Sequence, residues 1–203
     1  MAATDERVVL IGGGATSALA AVRLAERGFR VTVVEKAALG NGSSSRSNAG
    51  IRAQFGVEAT IVGMRYSEWW YSYFHDLLHT PAARCQPVIQ QNGYLFLYED
   101  PTAATAAAEE AWRRARAYVA LQRRAGLPVE LLVPEEVHTR WPHIEPARLL
   151  GATYCATDGF LHPHVILGEG YRRARELGVE VLTETEVLGA TWHGDRIERL
   201  ETS

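Results

Sequence analysis

The residues best placed to do chemistry lie in the first fifty positions. The apolar run Val8-Val9-Leu10-Ile11 enters Gly12-Gly13-Gly14-Ala15-Thr16-Ser17, and a second apolar run, Val31-Thr32-Val33-Val34, ends on Glu35. A strand that breaks into glycines and then into a helix offers backbone amides to an anion at the helix N-terminus. The first glycine permits the tight turn, and the second lets the backbone approach a pyrophosphate. An acid closing the next strand is placed to hold the hydroxyls of an adenosine ribose. The third glycine of this fingerprint, which lets helix and strand pack closely, is replaced here by Ser17. The pattern therefore predicts a dinucleotide site with the helix set slightly back, or a site that tolerates a small hydroxymethyl group.

Further along, Ser43–Ser47 and Asn48 supply donors suited to phosphate oxygens and to the heteroatoms of an aromatic cofactor ring. Arg52, read by itself, is a surface arginine at the start of the next helix. His75 and His79 stand one helical turn apart, yet no carboxylate or cysteine motif completes a metal site around them, and no metal is expected. Trp69, Trp70, Tyr71, Tyr73 and Phe74 read as core and interface packing rather than a cage for an ammonium ion. Cys85 and Cys155 have neither metal nor redox spacing and suit buried thiols in a reducing compartment.

The positioning elements follow from periodicity and punctuation. Thr16–Arg27 is predicted helical and ends at Gly28, and the strand Arg30–Glu35 follows at once. Lys36–Gly50 is predicted to be a loop, and Glu58–Leu78 a single long helix with Gly63, Trp70, Phe74 and Leu78 near one face. After the Asn92-Gly93 turn signal comes a strand, Tyr94–Tyr98. The alanine-rich helix Thr102–Ala125 turns Ala108, Trp112, Ala115 and Val119 inward and carries Glu109–Arg113 and Glu110–Arg114 pairs. A strand at Val129–Leu132, a short helix from Pro134 to about Trp141, and a strand at Gly151–Ala156 precede the last helix, Pro163–Leu177. Val179–Leu182 and a hairpin of Val187–His193 with Arg196–Leu200 across Gly194-Asp195 complete the pattern.

Composition narrows the partners. The chain has 203 residues, 47% of them hydrophobic, and a formal charge of −3 from 24 acidic and 21 basic side chains. That is enough apolar material for one large or two small cores. The mild acidity argues against nucleic acid or an anionic membrane as a partner. No segment approaches the ~20 apolar residues of a membrane span, and Asp5 and Glu6 stand where a signal peptide would be basic. A cytoplasmic enzyme is the expectation.

The run Leu39-Gly40-Asn41-Gly42-Ser43-Ser44-Ser45-Arg46-Ser47-Asn48-Ala49-Gly50-Ile51-Arg52 resembles the flavin-contacting loop of FAD-dependent oxidoreductases of the D-amino-acid oxidase and sarcosine oxidase type. Gly93–Leu97, Glu130–Val137 and Asp158–His164 are similar to landmarks of that family in order and spacing. The resemblance implies an α/β fold, α+β in part: a Rossmann-like FAD-binding domain from residues 1–80 and 145–203, interleaved with an antiparallel-sheet substrate domain to which residues 81–144 contribute. By the family pattern Gly12 and Gly14, with Ala15 and Thr16 behind them, face the pyrophosphate. Glu35 and Lys36 lie at the adenosine ribose. Ser44, Ser45, Arg46, Ser47, Asn48, Ala49 and Gly50 run past the diphosphate and ribityl chain to the isoalloxazine, and the Val187 backbone meets the adenine. Arg52 matches an arginine that pairs with the substrate carboxylate. His164 roughly matches a histidine that carries covalent flavin mononucleotide in some sarcosine oxidases, although an unmodified histidine at a helix start fits as well.

The activity so implied is oxidation of a C–N bond in a small amine or amino acid of sarcosine, glycine or D-amino-acid type. Relatives continue beyond the hairpin into further strands and a segment over the flavin. The expectation is thus the N-terminal portion of such an enzyme, with its C-terminal part missing or supplied by a second chain. A nicotinamide-dependent dehydrogenase and a non-catalytic nucleotide-binding fragment are the alternatives.

Overall fold

Val8, Leu10, Val31 and Val33 alternate with more exposed neighbours along two short strands, β1 (Arg7–Ile11) and β2 (Arg30–Val34). The two pair in parallel, with Val9 opposite Thr32 and Ile11 opposite Val34. β2 pairs in parallel with β9 (Glu180–Leu182) on its other side, giving the order β1-β2-β9. Parallel neighbours need crossover helices. These are α1 (Ala15–Glu26) between β1 and β2, and α7 (Pro163–Glu176) leading into β9. The computed structural model describes residues 6–80, 87–99 and 106–203; Cys85 and the first residues of the helix expected from Thr102 lie outside the described residues.

The chain divides into two compact units. The first is Met1–Ala49, Tyr73–Val88 and His162–Ser203; the second is Gly50–Ser72 and Ile89–Leu161. In the first, Ala18, Ala21 and Val22 of α1 and Leu167, Tyr171 and Ala174 of α7 form one core with Val31, Val33 and Val179. The close approach is between helices rather than between helix and strand: a Cβ added at Gly170 would lie 3.1 Å from the Cβ of Ala18. Ser17 is only half-buried. The helices cover one face of the sheet. On the other face Val9 and Ile11 are 42% and 64% exposed, and among the described residues β1 pairs only with β2. The unit also holds the antiparallel hairpin of β10 (Val187–His193) and β11 (Arg196–Thr202), turned at Gly194 with φ 63°.

The second unit is built on an antiparallel sheet in the order β5 (Tyr94–Glu99), β7 (Leu149–Cys155), β6 (Val129–Leu132). A smaller sheet sets β8 (Gly159–Leu161) between β3 (Gly50–Ile51) and β4 (Ile89–Gln90). Helices α3 (Glu58–Ser72) and α5 (Ala106–Arg124) pack here, and Ile61, Val119, Leu127, Val129 and Cys155 share a buried cluster.

Several expectations need amending. The long helix Glu58–Leu78 is two helices, α3 and α4 (Phe74–Leu77), separated at Tyr73, whose φ and ψ are −105° and 18°. The Ser72 hydroxyl donates to the Glu68 carbonyl at 2.9 Å, a back-bond that competes with the helix ladder and favours bending. Gly63 is exposed, and Glu68 occupies the buried face instead. Within the expected loop Lys36–Gly50, Ser43–Arg46 makes one helical turn, α2. On α5 Glu110 takes both Arg113 and Arg114, so the expected Glu109–Arg113 pair does not form. The division of the chain also differs from 1–80 plus 145–203 against 81–144. Strand β7 pairs with β5 and β6, which draws residues up to 161 into the second unit, and the break at Tyr73 sends α4 to the first.

Candidate functional site

In the first unit the glycine turn and Glu35 are directly bonded. Gly12 bends the chain out of β1 with φ 101°, and its amide donates to the Val34 carbonyl at 2.8 Å. The Gly13 amide donates to Oε2 of Glu35 at 2.6 Å, and the Ala37 amide donates to Oε1 at 2.9 Å. A Cβ at Gly13 would lie 2.8 Å from Leu39 and 3.0 Å from Glu35, so a larger residue would press on the side chain of the acid. Each carboxylate oxygen still has a free lone pair with which to accept a hydroxyl.

Gly14 caps α1 in an extended conformation, and no side chain of the cap residue closes the helix end. The Ala15 amide instead donates to Oγ of Ser44 at 3.1 Å. A hydroxyl oxygen from α2 thus sits where the helix N-terminus accepts an anionic oxygen. A Cβ built at Gly12 or at Gly42 meets nothing within 4 Å, which leaves open space beside both turns. Open glycine turns, a helix start met only by the Ser44 hydroxyl and a two-oxygen acceptor at the end of β2 are a donor and acceptor set that fits a dinucleotide.

The rest of the predicted cofactor loop is exposed. Ser45 is tied back by its hydroxyl to the Gly40 carbonyl at 2.6 Å, while Arg46, Ser47 and Asn48 face solvent and Thr16 is exposed on α1. Ala49 holds φ 54°, a left-handed conformation unusual for a residue with a Cβ, and its amide donates to the Ser47 hydroxyl at 2.8 Å. Lys36 pairs with Glu186 at 3.7 Å, next to Val187 at the start of β10. His75 Nδ1 lies 2.7 Å from the Thr80 hydroxyl, and His164 is exposed on the first turn of α7.

Gly50 and Arg52 belong to the second unit, where Arg52 follows β3. Its guanidinium carbon lies 5.1 Å from the Phe55 ring centre and 5.2 Å from that of Phe96, a double cation–π contact. Among the described residues Arg52 has no ion pair, and its Nε is buried without a hydrogen-bond partner. It lines a cavity of about 200 Å³ with Gln54, Phe55, Phe96, Tyr98, Tyr118 and other residues, and it is the one charged residue among those lining it.

Behind this cavity lies a polar network that the sequence reading missed. Asp158, fully buried, accepts the Ala53 amide at 2.8 Å on one oxygen and Nε2 of Gln54 at 3.0 Å on the other. Gln54 Nε2 also donates to the Tyr94 carbonyl at 3.0 Å, and its Oε1 accepts the Thr153 hydroxyl at 2.9 Å. Glu68, only 5% exposed on α3, is hydrogen-bonded to Asp158. Burial first, and the negative charge of Asp158 second, push the Glu68 carboxyl up to about 8. Burial likewise raises the pKa values of Asp158 and the Cys155 thiol. The signal for Glu68 was its place seven residues after Ile61, on the same helix face.

The chain is similar to known proteins over most of its length. The chain is 28% identical over 188 residues to one component of the anaerobic glycerol-3-phosphate dehydrogenase of Escherichia coli strain K12, a match covering 92% of this chain and 32% of that one. The L-proline dehydrogenase of P. horikoshii superimposes with a TM-score of 0.81 at 30% identity, over all of this chain and 50% of the other. Glycine oxidase of Geobacillus kaustophilus, at 22% identity and a TM-score of 0.78, shares the fold over 98% of this chain and 52% of its own. The chain therefore spans about a third of the curated relative and about half of each solved structure. Residues 7–203 match the DAO family, described as FAD dependent oxidoreductase, and the chain belongs to that family.

Proposed function

We propose that this chain binds FAD and orients a small amino acid or secondary amine for oxidation at its C–N bond. The observation that carries the substrate class is Arg52, an arginine without an ion pair among the described residues, held between two aromatic rings on the wall of a small cavity. A single guanidinium matches the single charge of a carboxylate and forms a bidentate pair with it. A phosphate ester such as glycerol 3-phosphate, close to a dianion, would leave charge uncompensated in a cavity with no second cation in its lining. Cavities for drug-sized ligands run to ~300–1,000 Å³, so about 200 Å³ suits a ligand of amino-acid size.

In this reading Gly12, Gly14, Ala15 and Thr16 present the turn and helix start to the pyrophosphate. Glu35 holds the ribose and Lys36 flanks it, Ser44–Gly50 line the path toward the ring, and the Val187 backbone meets the adenine. FAD, when bound, would supply the two-electron oxidation of the C–N bond, and water would hydrolyse the imine product. The residues of the chain fix the carboxylate through Arg52 and exclude water with Phe55, Phe96 and Tyr98. Membership of an FAD-dependent family displaces the nicotinamide alternative. The exposed face of β1 at Val9 and Ile11 supports further polypeptide packing there, from a second chain or a longer one.

The test is spectroscopic. The purified chain is titrated with FAD, and an induced flavin band with a protein-shifted shape is expected. Anaerobic addition of sarcosine, glycine, D-alanine and L-proline, with glycerol 3-phosphate as the contrast, should bleach that band for at least one amino acid. Bleaching by glycerol 3-phosphate alone would overturn the substrate class.

A further inference from the structure

Two carboxyl groups share one buried site in the second unit, and only Asp158 has a donor on each oxygen. Asp158 receives a backbone amide on one oxygen and a side-chain amide on the other, which marks it as the anion. Glu68 has a buried Oε1 that meets no donor, and it stands in hydrogen-bonding contact with Asp158. Two carboxylates cannot bond to one another without a proton between them. Burial makes the doubly ionised pair costly as well.

The network ends beside Arg52. Asp158 holds the next residue's amide, Ala53, and the side chain after that, Gln54, which is itself fixed by Tyr94 and Thr153. Gln54 and Thr153 line the cavity that Arg52 lines. We propose that Glu68 and Asp158 form a proton-sharing latch: Glu68 keeps its proton and donates it to Asp158, and the ionised Asp158 holds Ala53 and Gln54 and so positions Arg52. Glu68 and Asp158 are positioning residues that do not touch the ligand. Loss of the shared proton at alkaline pH places a second negative charge beside Asp158 and loosens the segment that carries Arg52.

The charged and titratable groups facing the pair are Arg65, on the same helix as Glu68, and the Cys155 thiol, on β7. Arg65 opposes retention of the Glu68 proton, but its guanidinium is anchored away on the Ala125 carbonyl at 2.5 Å. The Cys155 thiol is fully buried and lies 3.2 Å from the Thr157 hydroxyl; burial raises its pKa, which keeps it neutral near neutrality. The Thr157 hydroxyl favours the ionised form of Glu68, more weakly than burial and Asp158 oppose it. None of these groups bonds to the orphaned Oε1.

This inference rests on Arg52 as the carboxylate-holding residue, and its test reads the latch separately. The Ala53 amide is followed by NMR in the full chain with FAD added, from about pH 6 to about pH 10. A single inflection on the alkaline side of neutrality is expected in the wild type, and none in Glu68→Gln, whose amide donates to Asp158 without titrating. A wild-type signal with no inflection, or an unchanged inflection in the variant, overturns the latch. If the variant does not fold, the wild type alone decides: a protonated-carboxyl infrared band near neutral pH is expected, and its absence overturns the proposal.

Cyclopentanecarboxylate, whose charge is constant over this range, reports on positioning. Its affinity should fall about tenfold across the Ala53 inflection in the wild type and stay flat in Glu68→Gln. Constant affinity in the wild type while Ala53 titrates overturns the positioning role. Arg52→Met should abolish this binding at neutral pH; unaltered binding there, with the Ala53 titration intact, would sink the Arg52 reading alone.

Discussion

The amide of Gly13 donates to Oε2 of Glu35 at 2.6 Å, so the carboxylate that closes β2 is fixed by the glycine turn that closes β1. Two features that look independent in the sequence are one hydrogen-bonded unit in the fold. With the Ala37 amide on the other oxygen, Glu35 is oriented before any ligand arrives. A pre-oriented acceptor loses less conformational freedom on binding than a free side chain.

Glu35→Gln keeps the shape and changes the bonding. The carboxylate meets two amide donors, and a carboxamide can satisfy only one of them, because its NH2 would face the other. A donor left unpaired in a partly buried site costs about 1–3 kcal/mol. FAD affinity, measured by quenching of flavin fluorescence, should weaken about tenfold or more in Glu35→Gln and in Glu35→Ala. Unchanged affinity in both variants would remove Glu35 from the ribose site.

Gly170→Val is expected to destabilise the first unit by about 1–3 kcal/mol, since even its Cβ would press on Ala18 across the α1–α7 contact and the branched methyls add to the overlap. Gly170→Ala should cost less, because the 3.1 Å approach can relax by a few tenths of an ångström. Chemical denaturation followed by far-ultraviolet circular dichroism ranks the two. Equal stability of wild type and valine variant would show that the helices do not meet there.

Legibility followed locality. The strand, glycine turn, helix and acid of residues 8–35 are written in adjacent positions, and β1, α1 and β2 stand within a residue or two of their predicted limits. Strands β5 and β7 were visible as apolar runs between turn signals. The two-residue strands β3 and β4 have no periodicity to detect; they exist because β8 lies between them. The apolar spacing runs unbroken across Tyr73, where the backbone leaves the helix, so one helix was expected where two stand. The Asp158 network spans 105 residues between Ala53 and Asp158, and no short-range pattern encodes such a contact. Arg52 was legible as a candidate, but its aromatic surroundings were not, since Phe96 reaches it from a different strand.

Stability should fall as pH rises through the neutral range. Unfolded Glu68 ionises near its ordinary value of 4.5, whereas burial and Asp158 hold the folded group up to about 8. Between those values the unfolded chain releases a proton that the native state retains, so the native state loses ground as pH increases. The favourable contribution is fully present below the unfolded value and is gone above the folded one. The steepest slope for one such group is about 1.4 kcal/mol per pH unit. Urea denaturation at a series of pH values should show this decline in the wild type and a flatter profile in Glu68→Gln. The same slope in both would place the titrating group elsewhere.

Arg52→Lys separates charge from shape. Lysine keeps the positive charge but presents a point donor in place of the planar fork, and it cannot lie flat against Phe55 and Phe96 as the guanidinium does. If the fork holds a substrate carboxylate, the apparent KM for the amino acid that reduces the flavin should rise about ten- to a hundredfold, with flavin content unchanged. Flavin content is an informative control because Gly12, Gly14 and Glu35 belong to the other compact unit and are untouched by the substitution. A variant that loses flavin together with substrate affinity would point to a structural role for Arg52, and one that keeps both would leave the carboxylate to another residue.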